Sequence, residues 1–140
     1  AILEAMLATG FSDFVLAERG PENEVVGCIQ INYRLSTWAA APYAYFEDFY
    51  LVPSARGQGI GTKLLDYAVQ RAEGKGCVEA QLDVRQANKG AARLYARYGF
   101  KVTGSTIWKR PLNQGCLSET AEERAEIEEL AEHLRGQAQA

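Results

Sequence analysis

Only one histidine, His133, occurs in the 140 residues of the chain. Zinc sites built on several histidines and Ser-His-Asp triads are therefore poor candidates for its chemistry, and no metal site is expected. Cysteine is scarce as well. Cys28, Cys77 and Cys116 are widely spaced, odd in number and form no Cys-x-x-Cys pair. That pattern argues for reduced thiols in a cytoplasmic protein, with Cys28 and Cys77 as small core residues. No apolar run approaches the roughly 20 residues that a membrane-spanning helix needs, and no secretory signal is visible, so no membrane partner is expected. An excess of positive charge is missing too. Residues 1–112 hold 13 Lys/Arg against 11 Asp/Glu, and residues 113–140 hold 2 against 7. A near-neutral body with an acidic tail lacks the basic surface that nucleic-acid binding usually needs.

Apolar residues make up 47% of the sequence and charged residues 24%, ordinary proportions for one globular domain with one core. Ile2–Leu7 reads as the end of a helix closed near Gly10. Strand-like runs follow at Phe14–Glu18, Val25–Leu35 and Tyr43–Val52, with turn chemistry at residues 19–23 and a connection over 36–42. From Ile60 a helix is expected to about Glu73, its apolar face formed by Ile60, Leu64, Leu65, Ala68 and Ala72. Val78–Val84 reads as a strand, Asn88 as the N-cap of a helix to Tyr98, and Gly99 as its stop. Phe100–Trp108 is expected to return as a strand. In the tail, Thr120 and Glu123 fit a capping box, and Ile127, Leu130, Ala131 and Leu134 form a helical stripe. The order predicts an α/β domain with a mixed sheet.

The most informative stretch is Tyr50-Leu51-Val52-Pro53-Ser54-Ala55-Arg56-Gly57-Gln58-Gly59-Ile60-Gly61-Thr62-Lys63. A strand stops at a proline, a glycine-rich turn carries an arginine, and an amphipathic helix begins. Such a turn aligns N–H groups at a helix N-terminus, where the dipole also favours an anion. Two familiar phosphate loops do not fit. A P-loop needs Gly-Lys-Ser/Thr, whereas Gly61-Thr62-Lys63 reverses the order. A dinucleotide fingerprint needs Gly-x-Gly-x-x-Gly, whereas the spacing here is Gly57-x-Gly59-x-Gly61. Asp83, after the next strand, mimics the ribose-binding acid of that fingerprint, but three consecutive strands precede the loop instead of one.

Arg56-x-x-Gly59-x-Gly61, after a strand and opening a helix, resembles the acyl-CoA pyrophosphate loop of the GNAT superfamily of N-acetyltransferases. A second stretch, Leu82-Asp83-Val84, Asn88, Ala92, Leu94-Tyr95 and Gly99-Phe100, resembles the downstream motif of the same superfamily. The resemblance runs from about residue 11 to residue 110. It implies a GNAT-type mixed, mostly antiparallel central sheet flanked by helices, with an extra C-terminal helix added here. It also implies an acetyl-CoA-binding N-acetyltransferase domain over 1–112, followed by an acidic helical tail over 113–140. The family's N-terminal strand and helix are expected to be missing before Ala1, which is not an initiating methionine; that region usually builds one wall of the acceptor pocket.

The resemblance also implies roles. Acetyl-CoA is the cosubstrate. Its pantetheine arm pairs with the backbone of Phe49, Tyr50, Leu51 and Val52, ending before Pro53, which has no N–H to give. Its diphosphate lies against Arg56, Gly57, Gln58, Gly59, Ile60, Gly61 and Thr62, and Asn88 touches the cofactor while capping its helix. Tyr95 matches the family tyrosine that protonates the departing thiolate. Glu47 is the candidate base, because Phe-Glu-Asp-Phe-Tyr resembles a stretch of the diamine (spermidine/spermine-type) acetyltransferases. Strict alternation would put Tyr45, Glu47, Phe49 and Leu51 on one face of the strand and Phe46, Asp48 and Tyr50 on the other. Trp38, Tyr43 and Tyr45 lie near the presumed acceptor side, where they either flank a cationic amine or simply pack. The expected partner is a small amine, a diamine or polyamine among them, and the tail helix packs on its own domain or on a second subunit of a homodimer. Two alternatives remain open: an acyl-CoA-binding module without catalysis, and an acetyltransferase for protein or peptide amines.

Overall fold

The computed structural model describes residues 8–108, Arg110 and Leu112. The expected helix Ile2–Leu7 and the tail helix with its capping box lie outside the described residues, as do Cys116 and His133. The chain divides into two compact units, residues 1–83 and 84–140. Among the described residues no helix is long and apolar enough to cross a membrane.

The first unit is a sheet with one helix. Strands β1 (Ser12–Arg19), β2 (Glu24–Ser36) and β3 (Ala41–Leu51) form an antiparallel meander, and β4 (Ala80–Leu82) joins β3 in parallel, giving the order β1-β2-β3-β4. A 3₁₀ turn (Pro53–Ala55) and helix α1 (Ile60–Gly74) connect β3 to β4. The sheet is therefore mixed, as the order of elements predicts, and mostly antiparallel, as the family resemblance implies. The first three strands start or end within two residues of their expected bounds. β4 is shorter: it pairs Ala44 with Ala80, Tyr45 with Gln81 and Phe46 with Leu82, and stops there. Val78 is 63% exposed, so the apolar alternation around it is not matched by burial.

The core lies between the sheet and α1. Val26, Ile29, Ile31, Ala44 and Phe46 from the sheet and Leu64, Leu65, Ala68 and Ala72 from the helix are all buried. Those helix positions recur every three to four residues, so one stripe of α1 meets the sheet. A charged clamp closes the rim. Arg71 of α1 donates to Asp13 Oδ2 of β1 at 2.6 Å, and the Tyr33 hydroxyl of β2 donates to the same oxygen at 2.5 Å. One carboxylate thus ties three elements. The Arg71 guanidinium, helped by Tyr33, holds the Asp13 carboxyl below the usual aspartate range although burial opposes this.

Close backbone approach explains one glycine. A Cβ on Gly27 would lie 2.4 Å from Leu51 Cδ2 and 2.9 Å from Tyr50 O. Gly27 and Leu51 are paired residues, so the end of β3 is pressed against β2 just before the glycine-rich turn.

The second unit holds α2 (Lys89–Tyr98). The Asn88 side chain accepts from Ala91 N–H at 3.1 Å, the expected N-cap. Gly99 closes the helix in the left-handed conformation at φ 104°, and Phe100 N–H bonds back to Tyr95 O at 2.9 Å. The expected strand over Phe100–Trp108 is absent; residues 101–108 are exposed and without regular structure. The physical reason is visible in the pattern. Thr103, Gly104, Ser105 and Thr106 separate Val102 from Ile107 and Trp108, so the run offers no continuous apolar face to a neighbour.

Two stability outcomes follow. Gly27→Ala should lower unfolding free energy by about 1–3 kcal/mol, read by denaturant melts, because backbone and not only a flexible side chain must move. Asp13→Asn should cost on the order of 1 kcal/mol near neutral pH, the clamp being partly exposed. A depressed folded pKa means that this advantage holds above about pH 4 and fades as pH falls through the native value. Melting temperatures of the two proteins should therefore converge on acidification.

Candidate active site

The turn after β3 leaves backbone N–H groups open at the start of a helix. Val52 N–H bonds to Val26 O at 2.8 Å, and Pro53, which lacks an N–H, opens the 3₁₀ turn. Arg56 follows in an extended conformation, and Gly57 and Gly59 adopt φ of 72° and 79°. These angles are the left-handed region that glycine alone enters without strain. A Cβ at either glycine would meet nothing within 4 Å, so the space in front of the loop is open. The first helical bond of α1 runs from Lys63 N–H to Gly59 O at 3.1 Å. Ile60, Gly61 and Thr62 therefore present N–H groups that lack an acceptor within the helix. No side chain caps them, because the N-cap is Gly59. Arg56 donates from Nε to Leu51 O at 3.1 Å, and Gln58 donates to Ser54 O at 2.8 Å, which fixes the loop's shape.

Upstream of this turn, β3 carries one extra residue. Between the pairs Cys28–Tyr50 and Gln30–Glu47, Asp48 and Phe49 stand opposite Ile29 alone. Asp48 takes φ 50°, the left-handed conformation that aspartate tolerates better than most residues. This β-bulge overturns strict alternation. Cross-strand partners share a face, so Tyr50, not Phe49, lies on the side of Tyr45 and Glu47, while Leu51 joins Ala44 and Phe46 on the side facing α1. Phe49, Tyr50 and Leu51 run beyond the end of β4, whose ladder stops at Phe46.

Glu47 sits in a polar network on the face away from α1. Asn32 donates from Nδ2 to Glu47 Oε2 at 2.8 Å. Arg34 Nη2 stands 4.0 Å from Glu47 Oε1, and its guanidinium carbon lies 4.1 Å from the centroid of the Tyr45 ring. The Tyr45 hydroxyl donates to Asp83. Burial, then this hydrogen bond, then the charges of Asp83 and Glu47 push the Tyr45 phenol up to about 12. Tyr45 is thus engaged by an internal cation and an internal acid, and Asp83 is its anchor. Glu47 remains 43% exposed at its side chain and open to a solute. The sequence reading missed Ser12, Gln30, Asn32 and Arg34. Gln30-x-Asn32-x-Arg34, polar residues at period two within an otherwise apolar strand, was the available signal.

In the second unit, Tyr95 is 9% exposed and its ring meets that of Phe100 edge-on at 6.0 Å. Burial raises the Tyr95 phenol above its ordinary range, so it is protonated throughout the neutral region. Tyr98 packs against the same Phe100 ring at 6.4 Å. Among the described residues no group of three or more His, Cys, Asp or Glu is placed to hold a metal.

Comparison with known proteins gives this geometry a lineage. The family described as "Acetyltransferase (GNAT) family" matches residues 3–100. The chain is 37% identical over 117 residues to the thialysine N-epsilon-acetyltransferase of Mus musculus, covering 75% of this chain and 68% of that protein. It is 32% identical over 103 residues to the aminoglycoside N(6')-acetyltransferase type 1 of Klebsiella aerogenes, covering 70% and 66%. The chain thus spans about two thirds of the length of these curated relatives. Among solved structures, a putative acetyl transferase from Pyrococcus furiosus superposes with a TM-score of 0.66 at 31% identity, over 79% of this chain and 72% of that one. With the motif, the sheet and the helix-capped loop in agreement, the chain belongs to the acetyltransferase (GNAT) family, whose members are acetyl-CoA-dependent N-acetyltransferases.

Proposed function

We propose that this chain moves an acetyl group from acetyl-CoA directly to a primary amine of a small molecule, with diamines and polyamines among the candidate acceptors. The observation that carries the reading is the continuity of one segment. Glu47 and the open N–H groups of Ile60, Gly61 and Thr62 lie at the two ends of one short run of chain. The names of two relatives point the same way, since both specify transfer to a nitrogen of a small molecule.

In this reading the residues divide the work. Arg56, Gly57, Gln58, Gly59, Ile60, Gly61 and Thr62 hold the diphosphate through backbone dipoles and one guanidinium. The backbone of Phe49–Val52 aligns the pantetheine arm, and a backbone N–H there steadies the oxyanion as the thioester carbonyl is attacked. Asn88 contacts the cosubstrate beyond its capping role. Glu47 accepts the proton of the acceptor ammonium, directly or through one water, and frees the nitrogen lone pair. A C–N bond forms and the C–S bond breaks; Tyr95 gives its phenolic proton to the departing thiolate, the second proton lost from the nitrogen restores the phenol, and Glu47 releases the first to solvent. The raised, protonated phenol of Tyr95 suits that last step.

The direct test is incubation with acetyl-CoA and a panel of 1,4-diaminobutane, spermidine, thialysine and kanamycin, with free thiol followed by a chromogenic reagent. Thiol release that depends on one of these amines is the expected result. Acetyl-CoA binding without release for any of them, or for peptide amines, would leave a non-catalytic acyl-CoA-binding module; release with peptides alone would point to protein acetylation. Tyr95→Phe should lower kcat about a hundredfold while leaving acetyl-CoA affinity within about twofold. An unchanged kcat would remove Tyr95 from the mechanism.

A further inference from the structure

We infer that Asn32 is a positioning residue for Glu47, and that buried Ser12 and Gln30 serve to orient the Asn32 amide. The inference rests on the reading of Glu47 as the group that takes the acceptor's proton.

Buried polar side chains are costly unless they are bonded, so where a fold spends them is informative. Among the described residues the buried polar side chains are Ser12 and Gln30, 6% and 4% exposed. Both are directed at one atom. The Ser12 hydroxyl donates to Asn32 Oδ1 at 2.6 Å and Gln30 Nε2 donates to it at 3.2 Å. Two donors on Oδ1 leave only one orientation of the amide, with Nδ2 toward β3. An ionised carboxylate accepts and never donates, so Glu47 Oε2, 2.8 Å away, matches that orientation. The arrangement crosses three strands: Ser12 pairs with Asn32 in the ladder, and Glu47 pairs with Gln30.

The consequence for Glu47 is directional. Oε2 is held by Asn32, whereas the nearest cation to Oε1 is Arg34 at the long distance of 4.0 Å. Oε1 is therefore the oxygen presented to an acceptor amine or to a water bound to it. Arg34 is itself stacked on Tyr45, whose hydroxyl is anchored by Asp83, so the side of Glu47 opposite Asn32 is also held. The immediately following bulge at Asp48 makes such support necessary, because a carboxylate beside a break in the ladder has fewer neighbours to fix its rotamer.

Kinetics of the intact chain test this, with acetyl-CoA and the amine of the panel that the wild type acetylates fastest. The proteins are wild type, Asn32→Asp, Asn32→Leu, Glu47→Gln and the double variant Asn32→Asp/Glu47→Gln, each checked for folding by its thermal melt. Asn32→Asp keeps an oxygen for Ser12 and Gln30 but sets a second carboxylate against Glu47. Asn32→Leu removes the donor without adding charge and serves if the first variant does not fold. Both should lower kcat about tenfold or more with the KM for acetyl-CoA unchanged. In the Glu47→Gln background the further loss should fall below about threefold, since a residue acting through Glu47 has nothing left to position. A wild-type kcat for folded Asn32→Leu, or the same fold loss from Asn32→Asp in both backgrounds, overturns the inference and leaves the base assignment standing. A wild-type rate for Glu47→Gln, or no turnover by the wild type, overturns the underlying reading and this inference with it.

Discussion

Between its pairings with Gln30 and Cys28, β3 fits one more residue than the strand beside it, and Asp48 bends into the left-handed region to make room. Most of what distinguishes the site depends on that bulge. Before it, the side chains of Tyr45 and Glu47 share the face away from α1. After it, Leu51 crosses to the helix side, where Gly27 yields it space, and Tyr50 takes the polar face. The strand then arrives at Pro53 in the register that lets Arg56, Gly57 and Gly59 turn into α1. Without the extra residue, every side chain from Phe49 to Val52 would exchange faces, because the period of a strand is two.

The two faces of the sheet obey different economies. Toward α1 the contacts are apolar and the helix contributes small residues, Ala68 and Ala72, so helix and sheet approach closely. Away from α1 the face is mixed: Phe14 and Leu16 of β1 share it with the hydrogen-bonded set of Ser12, Gln30, Asn32 and Glu47. Among the described residues no buried side-chain nitrogen or oxygen lacks a partner. A satisfied network of this kind is rigid because each amide has one productive orientation. The glycine-rich turn follows the opposite rule: its donors are left without internal acceptors, which is tolerable only where water or an anion completes them.

Helix limits were legible in the residues because their signals are local. Gly59 before Ile60, Asn88 before Lys89 and Gly99 after Tyr98 each act through their own dihedral angles or a bond to the nearest turn. Strand limits were less so. The run from Phe100 to Trp108 has strand-like composition, yet a strand exists only where a neighbour supplies hydrogen bonds, and Gly104 with three hydroxyl residues interrupts its apolar positions. Val78 and Val84 sit outside β4, although Val78 N–H still bonds to Pro42 O at 3.0 Å. The bulge was invisible to periodicity, since nothing in Glu47-Asp48-Phe49 marks which residue will be the extra one; aspartate's tolerance of positive φ is a permission, not a signal.

The sequence by itself determined the order of elements from β1 to α2, the glycine-rich turn with its arginine, and membership of an acyl-CoA-using family, because these depend on residues that are neighbours along the chain. Motifs also made Glu47 and Tyr95 candidates. Tertiary structure alone decided what surrounds them. Ser12, Asn32 and Glu47 are 20 and 15 residues apart, and only strand pairing brings a hydroxyl, an amide and a carboxylate into one line. Asp83 became the anchor of Tyr45, 38 residues away, by the parallel pairing of β4 with β3. Hydrogen bonds reach about 3 Å and carry no record in the order of residues, so the partners of a catalytic group emerge only when the fold has closed.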